Sequence, residues 1–222
     1  MNLSFIKTEM IFFLLLAFGA SSVYSQSTEW KEAKKKNGIT VLTREYSGSS
    51  IDEFMGKTEV EASLSQVVSL LSDPAACEYL YFNCKELVVL SNANNRAVFY
   101  LRNGAPWPVA NRDVVVERLL NQNPKTKVIT MKLKKTESVS KPSPSGVVRI
   151  EEFDAVWRLT PLSSGKVRVE YQAHFEPGGS VPQSVINLVI TDTPYNTLAN
   201  IKKVVGEGKF REAKIDWIAE LE

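Results

Sequence analysis

The sequence predicts an α+β domain in which a curved antiparallel β-sheet carries one long C-terminal helix across it. Three observations lead there. Six runs between residues 85 and 177 (KELVVLS, RAVFYLRN, RDVVVERLLN, KVITMKLKK, VVRIEEFDAVWRLTP and KVRVEYQAHFEP) are rich in β-branched and aromatic residues. The segments between them, such as NANN, QNPK and SSGK, are short, which suits antiparallel neighbours and leaves no room for the crossover helices of a parallel sheet. Near residue 183 the period changes: Val185, Leu188 and Val189, then Leu198, Ile201, Val204 and Val205, recur at helical spacing.

Residues 1–25 stand apart from this domain. IFFLLLAFGA is a continuous apolar run after Lys7, followed by small residues up to Ser25, the layout of a secretory signal peptide cleaved after Ser25. The run is about half the ~20 residues that cross a bilayer, so cleavage is expected over a retained anchor. Residues 26–222 then form one domain, exported to the periplasm or outside the cell. STEWKEAKKKNG, residues 27–38, has a Ser-Thr cap, an early acid, late lysines and a final glycine, and is expected as a short helix. ITVLTREY and IDEFMGKTEVEA read as two strands around the turn SGSS. SLSQVVSLLSDP places Leu64, Val67, Val68 and Leu71 at helical spacing, with a serine cap before and Pro74 after. The six β runs follow, and Pro194 is expected to kink or divide the terminal helix.

Charge narrows the partners. With 27 basic and 25 acidic residues the formal net charge is +2, and KEAKKKNG is the only dense basic run. Nucleic acid needs a concentrated basic surface, so it is not an expected partner, and the lysine run is read as a solvated helix end. Two cysteines and one histidine make a protein-only zinc site improbable, and no metal or cofactor is expected. Cys77 and Cys84 are permitted a disulfide in an oxidising compartment. On one uninterrupted helix their Cα atoms would lie about 10 Å apart, so a bridge requires a bend between them. Bridge and free thiols both stay open.

NGAPWPVANRD, residues 103–113, interrupts the strands. Pro106 and Pro108 end a ladder and hold Trp107 in extended backbone on a semi-rigid loop. On the following strand, Arg112, Val114, Val116, Arg118 and Leu120 share one face, and Asp113, Val115, Glu117 and Leu119 the other. Arg112 and Asp113 are expected to satisfy loop amides or to pair across the sheet. His174 alternates with Arg168, Glu170 and Gln172 and is read as a solvated sheet residue. A curved sheet cannot pack flush on a straight helix. The space between them is either an apolar cavity or a filled core, and the pattern leaves both open.

AVFYLRNGAPWPVANRDVVVER, GVVRIEEFDAVWRL and HFEPGGSVPQSVINLV, in that order, resemble the steroidogenic-acute-regulatory-related lipid-transfer family, the START domains. The similarity runs from Trp30 to about Phe210. It implies a helix-grip fold, a curved antiparallel sheet wrapped around the long C-terminal helix, with an internal apolar cavity that holds one lipid or sterol-like molecule. It also implies that the Trp-Pro loop lies near the tunnel mouth. Trp107 is therefore expected to touch a membrane surface transiently, the alternative being a plug packed over its own loop. Arg118 matches a buried arginine of sterol-handling members, whose acidic partner falls here on Phe99 or Tyr100. That leaves Arg118 to a ligand's polar head, to the Tyr100 hydroxyl or to a cross-strand glutamate. By the same resemblance Phe99, Tyr100, Val116 and Arg118 contact the ligand. So do Phe153, Trp157, Tyr171 and Asn187. The phosphatidylcholine-carrying branch has arginine, tryptophan and tyrosine where Cys77, Leu80 and Phe153 stand, which argues against that ligand.

The expected function is non-catalytic binding and transfer by a monomer, since enclosing apolar surface removes about 25 cal/mol per Å² of hydration cost. The wider helix-grip superfamily that this resemblance implies includes aromatase/cyclase proteins, so an enzyme acting on a hydrophobic, polyketide-like substrate is the alternative. Such chemistry needs a positioned acid or base. No Ser-His-Asp, Cys-His or metal set is visible, and no catalytic residue is assigned.

Overall fold

The computed structural model describes residues 29–93 and 95–221; the proposed signal peptide and its cleavage after Ser25 lie outside them. The described residues open with a hairpin, β1 (Lys31–Lys36) and β2 (Ile39–Arg44), where the sequence predicts a helix over residues 27–38. Asn37 and Gly38, with φ of 54° and 72°, make the tight turn. An Asn-Gly pair with left-handed backbone matches the twist of two joined strands, and this local preference outweighs the weak helix pattern of the lysines. β1 ends the sheet order, and its exposed lysines discourage further pairing there.

β3 (Glu53–Val60) leads to α1 (Leu64–Ser72). Ser63 caps α1 by accepting from the Gln66 amide, and the Glu220 carboxylate accepts from the Leu64 and Ser65 amides, so three of its free donors are satisfied. The short α2 (Ala76–Tyr79) ends before a turn in which Asn83 takes a φ of 57°, and β4 (Cys84–Ala93) begins. That bend settles the cysteines: Cys77 and Cys84 are disulfide-bonded with Cα atoms 5.1 Å apart.

β5 (Arg96–Asn103), β6 (Asn111–Gln122), β7 (Ile129–Lys135), β8 (Val147–Arg149), β9 (Glu152–Leu162) and β10 (Lys166–Glu176) follow. The sheet runs β1-β2-β3-β10-β9-β7-β6-β5-β4, all antiparallel, with β8 added to β6 in parallel. β10 returns to β3, so the last strand lies inside the order and joins the first three strands to the rest, which a simple meander would not do. The run VVRIEEFDAVWRLTP, expected as one strand, is split at Ile150, whose amide bonds the Asp113 carbonyl while the next strand turns toward β10.

α3 (Gln183–Gly206) crosses this sheet as one unbroken helix, so Pro194 does not divide it. Pro194 is buried on the face that meets β3, and the close approach there depends on Gly56. A Cβ at Gly56 would lie 2.8 Å from the Leu198 Cδ1 and 3.0 Å from the Pro194 Cβ. The main core gathers Leu70, Leu80, Ile129, Leu159, Leu198 and Ile201, joining α1, α3 and the concave side of the sheet.

Candidate functional site

Two adjoining hollows remain between the sheet, α3 and the segment joining α2 to β4. The first, about 90 Å³, is walled by Phe99, Met131, Leu133 and Trp157 from the strands, with Leu71 and Ser72 from the end of α1. The second, about 130 Å³, is bordered by Ala105 and Val109 of the loop after β5, by Phe175, and by Val185, Ile186 and Val189 of α3. Phe82, Asn103, Phe153, Tyr171 and Thr193 line both and form the partition. The interior is thus hollow and largely apolar, which decides the question the residue pattern left open. Each hollow is smaller than the roughly 300–1,000 Å³ of a typical small-molecule pocket. A larger guest must merge them. Phe82 and Phe153 have side chains without polar groups and can turn aside without giving up side-chain hydrogen bonds.

The strands place several expected residues here. Phe99, Phe153, Trp157 and Tyr171 all line a hollow, with Trp157 and Tyr171 stacked at 4.0 Å and Phe54 edge-on to Tyr171 at 5.1 Å. Burial pushes the Tyr171 and Tyr81 hydroxyls up, so both stay neutral. Val116 faces the same side but is packed with Phe99, Val114 and Ile150 and borders neither hollow.

Two expected ligand contacts are corrected. Tyr100 follows Phe99 on β5 and so points to the opposite face, where it packs with Val98 and Val115. Its hydroxyl donates to Asp113 at 3.1 Å, and burial together with that carboxylate pushes its pKa up to about 12. Asn187 is exposed on the outer side of α3, its Oδ1 accepting from Gln183 at 3.0 Å, because Ile186 and Ile190 take the inward positions of that turn. His174, read as solvated, is only 4 % exposed. It stacks on Tyr46 at 3.6 Å on the convex side and lies 3.2 Å from Glu176.

Arg118 is 6 % exposed and borders the first hollow. Its Nη1 donates to the Ser72 Oγ at 2.8 Å, its guanidinium lies 5.2 Å from the Phe99 ring centre, and its buried Nε has no partner. The expected alternatives of Tyr100 and a cross-strand glutamate are both absent: its neighbours in the ladder are Ala97 and Leu133. Arg112 differs. It borders the second hollow yet donates to the carbonyls of Ala110, Pro177 and Gly178, so it holds the loops as expected. Asp113 pairs with Arg149 at 2.7 Å and accepts from Ser143 and Tyr100. Burial alone would raise its pKa, but these bonds and the Arg149 charge hold it below the usual carboxylate range.

Trp107 is 93 % exposed, so it does not plug its loop. The sequence reading missed Ser72, Tyr81, Phe82 and Thr193. The aromatic cluster EYLYFN between the two cysteines was the available signal for Tyr81 and Phe82; nothing singled out Ser72 or Thr193.

An uncharacterized protein of Pseudomonas aeruginosa is 30% identical over 175 residues, covering 78% of this chain and 85% of its own. The crystal structure of a STAR-related lipid transfer protein fragment from Xanthomonas axonopodis superposes with a TM-score of 0.73 at 32% identity, over 80% of this chain and 98% of that one. Human StAR-related lipid transfer protein 5 shares the fold at 18% identity, with a TM-score of 0.72 over 83% of this chain and 89% of that one. Residues 19–207 match the START domain, and together with the helix gripped by a curved antiparallel sheet this places the chain in the START domain family.

Proposed function

We propose that this protein binds one lipid or sterol-like molecule in the divided hollow and carries it between membranes without covalent chemistry, as an exported monomer. The observation that carries the reading is the apolar interior space between sheet and helix in a START fold. Likeness to proteins described as StAR-related lipid transfer proteins supports it.

Membrane contact is supported by two exposed apolar side chains beside the second hollow. Trp107 stands on the loop whose Ala105 and Val109 border that hollow, and Leu188, 46 % exposed, lies on the α3 turn whose Val185 and Val189 do the same. An indole at such a place puts its ring in the acyl boundary and its N–H in the polar layer. Export to the periplasm or beyond is supported by the apolar run at residues 11–20 and by the Cys77–Cys84 bridge, which suits an oxidising compartment. Cys77 is tied in that bridge and Leu80 is fully buried, so neither position offers a choline phospholipid the partner it would need.

Organic extraction of the natively purified protein followed by mass spectrometry tests the reading. One apolar molecule per chain is the expected result. A consistently empty protein that converts an aromatic or polyketide precursor would replace carriage with catalysis.

A further inference from the structure

Arg118 is a buried cation without an anion. Among the described residues no carboxylate comes within ion-pair distance of it, although other cations throughout the sheet are paired. Around it lie the Phe99 ring, the Ser72 hydroxyl at 2.8 Å, the neutral Tyr81 phenol and the C-terminal end of α1, which supplies a partial negative charge but no full one. Burial lowers its pKa, the sign of a charge whose desolvation is not offset. Meanwhile its Nε is left without a partner at the wall of an apolar hollow.

We infer that the molecule held here is an acid: an apolar body ending in a single carboxylate that docks on the Arg118 guanidinium and the Ser72 hydroxyl. This deepens the lipid-binding reading and rests on it. An alcohol head can accept from the guanidinium but carries no charge and leaves the cation uncompensated. A carboxylate accepts from two donors of a guanidinium side by side and neutralises it in a low-dielectric site. The hollow also selects against a second negative charge. Asp73 borders the same space, its carboxylate already bonded to the Tyr79 hydroxyl and the Ala75 amide and paired with Lys209 at 3.6 Å, so a phosphate monoester would bring a dianion toward an existing anion with Arg118 alone left to receive it.

Dodecanoate, dodecan-1-ol and dodecyl phosphate, titrated separately into the purified delipidated protein by calorimetry, test this. The acid should bind at least about 10-fold tighter than the alcohol and tighter than the phosphate, since a hydrogen-bonded charge adds on that order. Arg118→Gln should erase the preference for the acid over the alcohol, and Arg118→Lys should restore part of it. Equal binding of acid and alcohol, tighter binding of the phosphate, or a preference that survives Arg118→Gln would overturn the inference and leave lipid binding intact. Failure of all three probes to bind would overturn both.

Discussion

Two of the buried charges on β6, Asp113 and Arg118, lie five residues apart on opposite faces and are treated differently. Asp113, on the convex side, is surrounded by complementary groups: Arg149, Ser143 and Tyr100 from three other segments all donate to it. Arg118, on the concave side, has one neutral side-chain partner and an orphaned Nε. A charge completed by the protein itself holds the fold together, whereas a charge left incomplete at a cavity wall is poised for something brought from outside. One strand therefore serves both purposes. The period of two keeps them apart.

Removing the completed charge should have the largest effect. Asp113→Ala takes the acceptor from Tyr100 and the counter-charge from Arg149, which keeps only the Lys141 carbonyl, and should cost about 2–4 kcal/mol in urea unfolding, near the lower end for broken buried pairs because the Arg149 side chain is 33 % exposed. A loss below about 1 kcal/mol would show that the cluster is not the tie described. Acid sharpens the same point. The folded-state pKa of Asp113 lies below the ordinary 3.8, so the unfolded chain takes up this proton first as the pH falls. The stability it contributes is complete well above 3.8 and lost as the pH drops through the lower, folded-state value. The gap between the wild type and Asp113→Asn should accordingly shrink from neutral pH to pH 3; a constant gap would contradict the depressed pKa.

Next in size is the seat of the helix. Gly56→Val should cost about 1–3 kcal/mol, since its side chain would meet Leu198 and Pro194 on α3 where a Cβ alone is already too close. Thermal unfolding of the variant checks it, and an unchanged melting temperature would mean that α3 can lift away from β3 without loss. In contrast to Asp113, replacing the incomplete charge should be nearly neutral. Arg118→Met removes a desolvated cation and keeps most of the volume, so the unliganded protein should unfold within about 1 kcal/mol of the wild type or above it. A loss like that of Asp113→Ala would make Arg118 structural and dissolve the contrast.

Much of this was legible in the residues. Alternation alone put Arg118 and Asp113 on opposite faces of β6, and the change of period located α3. The same rule, applied to β5, would have removed Tyr100 from the ligand list, because Phe99 and Tyr100 are adjacent and only one can face inward. The Asn-Gly pair at residues 37 and 38 was a stronger signal than the cap and charges that suggested a helix. The return of β10 to β3 and the burial of His174 under Tyr46 were not legible, since both depend on which distant segments meet. Ser72 belongs with them: its value lies in being 46 residues from Arg118 in sequence and 2.8 Å away in space.

The smallest effect on stability is expected at Trp107, and that smallness is what makes the variant informative. The side chain is almost fully solvated, so Trp107→Ala should change unfolding by no more than about 0.5 kcal/mol and leave equilibrium binding of a fluorescent lipid analogue unaltered. Transfer between vesicles is another matter. If the indole enters the bilayer interface while the loop beside the second hollow parts from α3, its loss removes a favourable contact from the membrane-bound state alone. The transfer rate should then fall several-fold at constant affinity, and the deficit should be repaired by Trp107→Phe more fully than by Trp107→Gln. Equal losses of binding and transfer would place Trp107 in the holding of the ligand and not in its delivery.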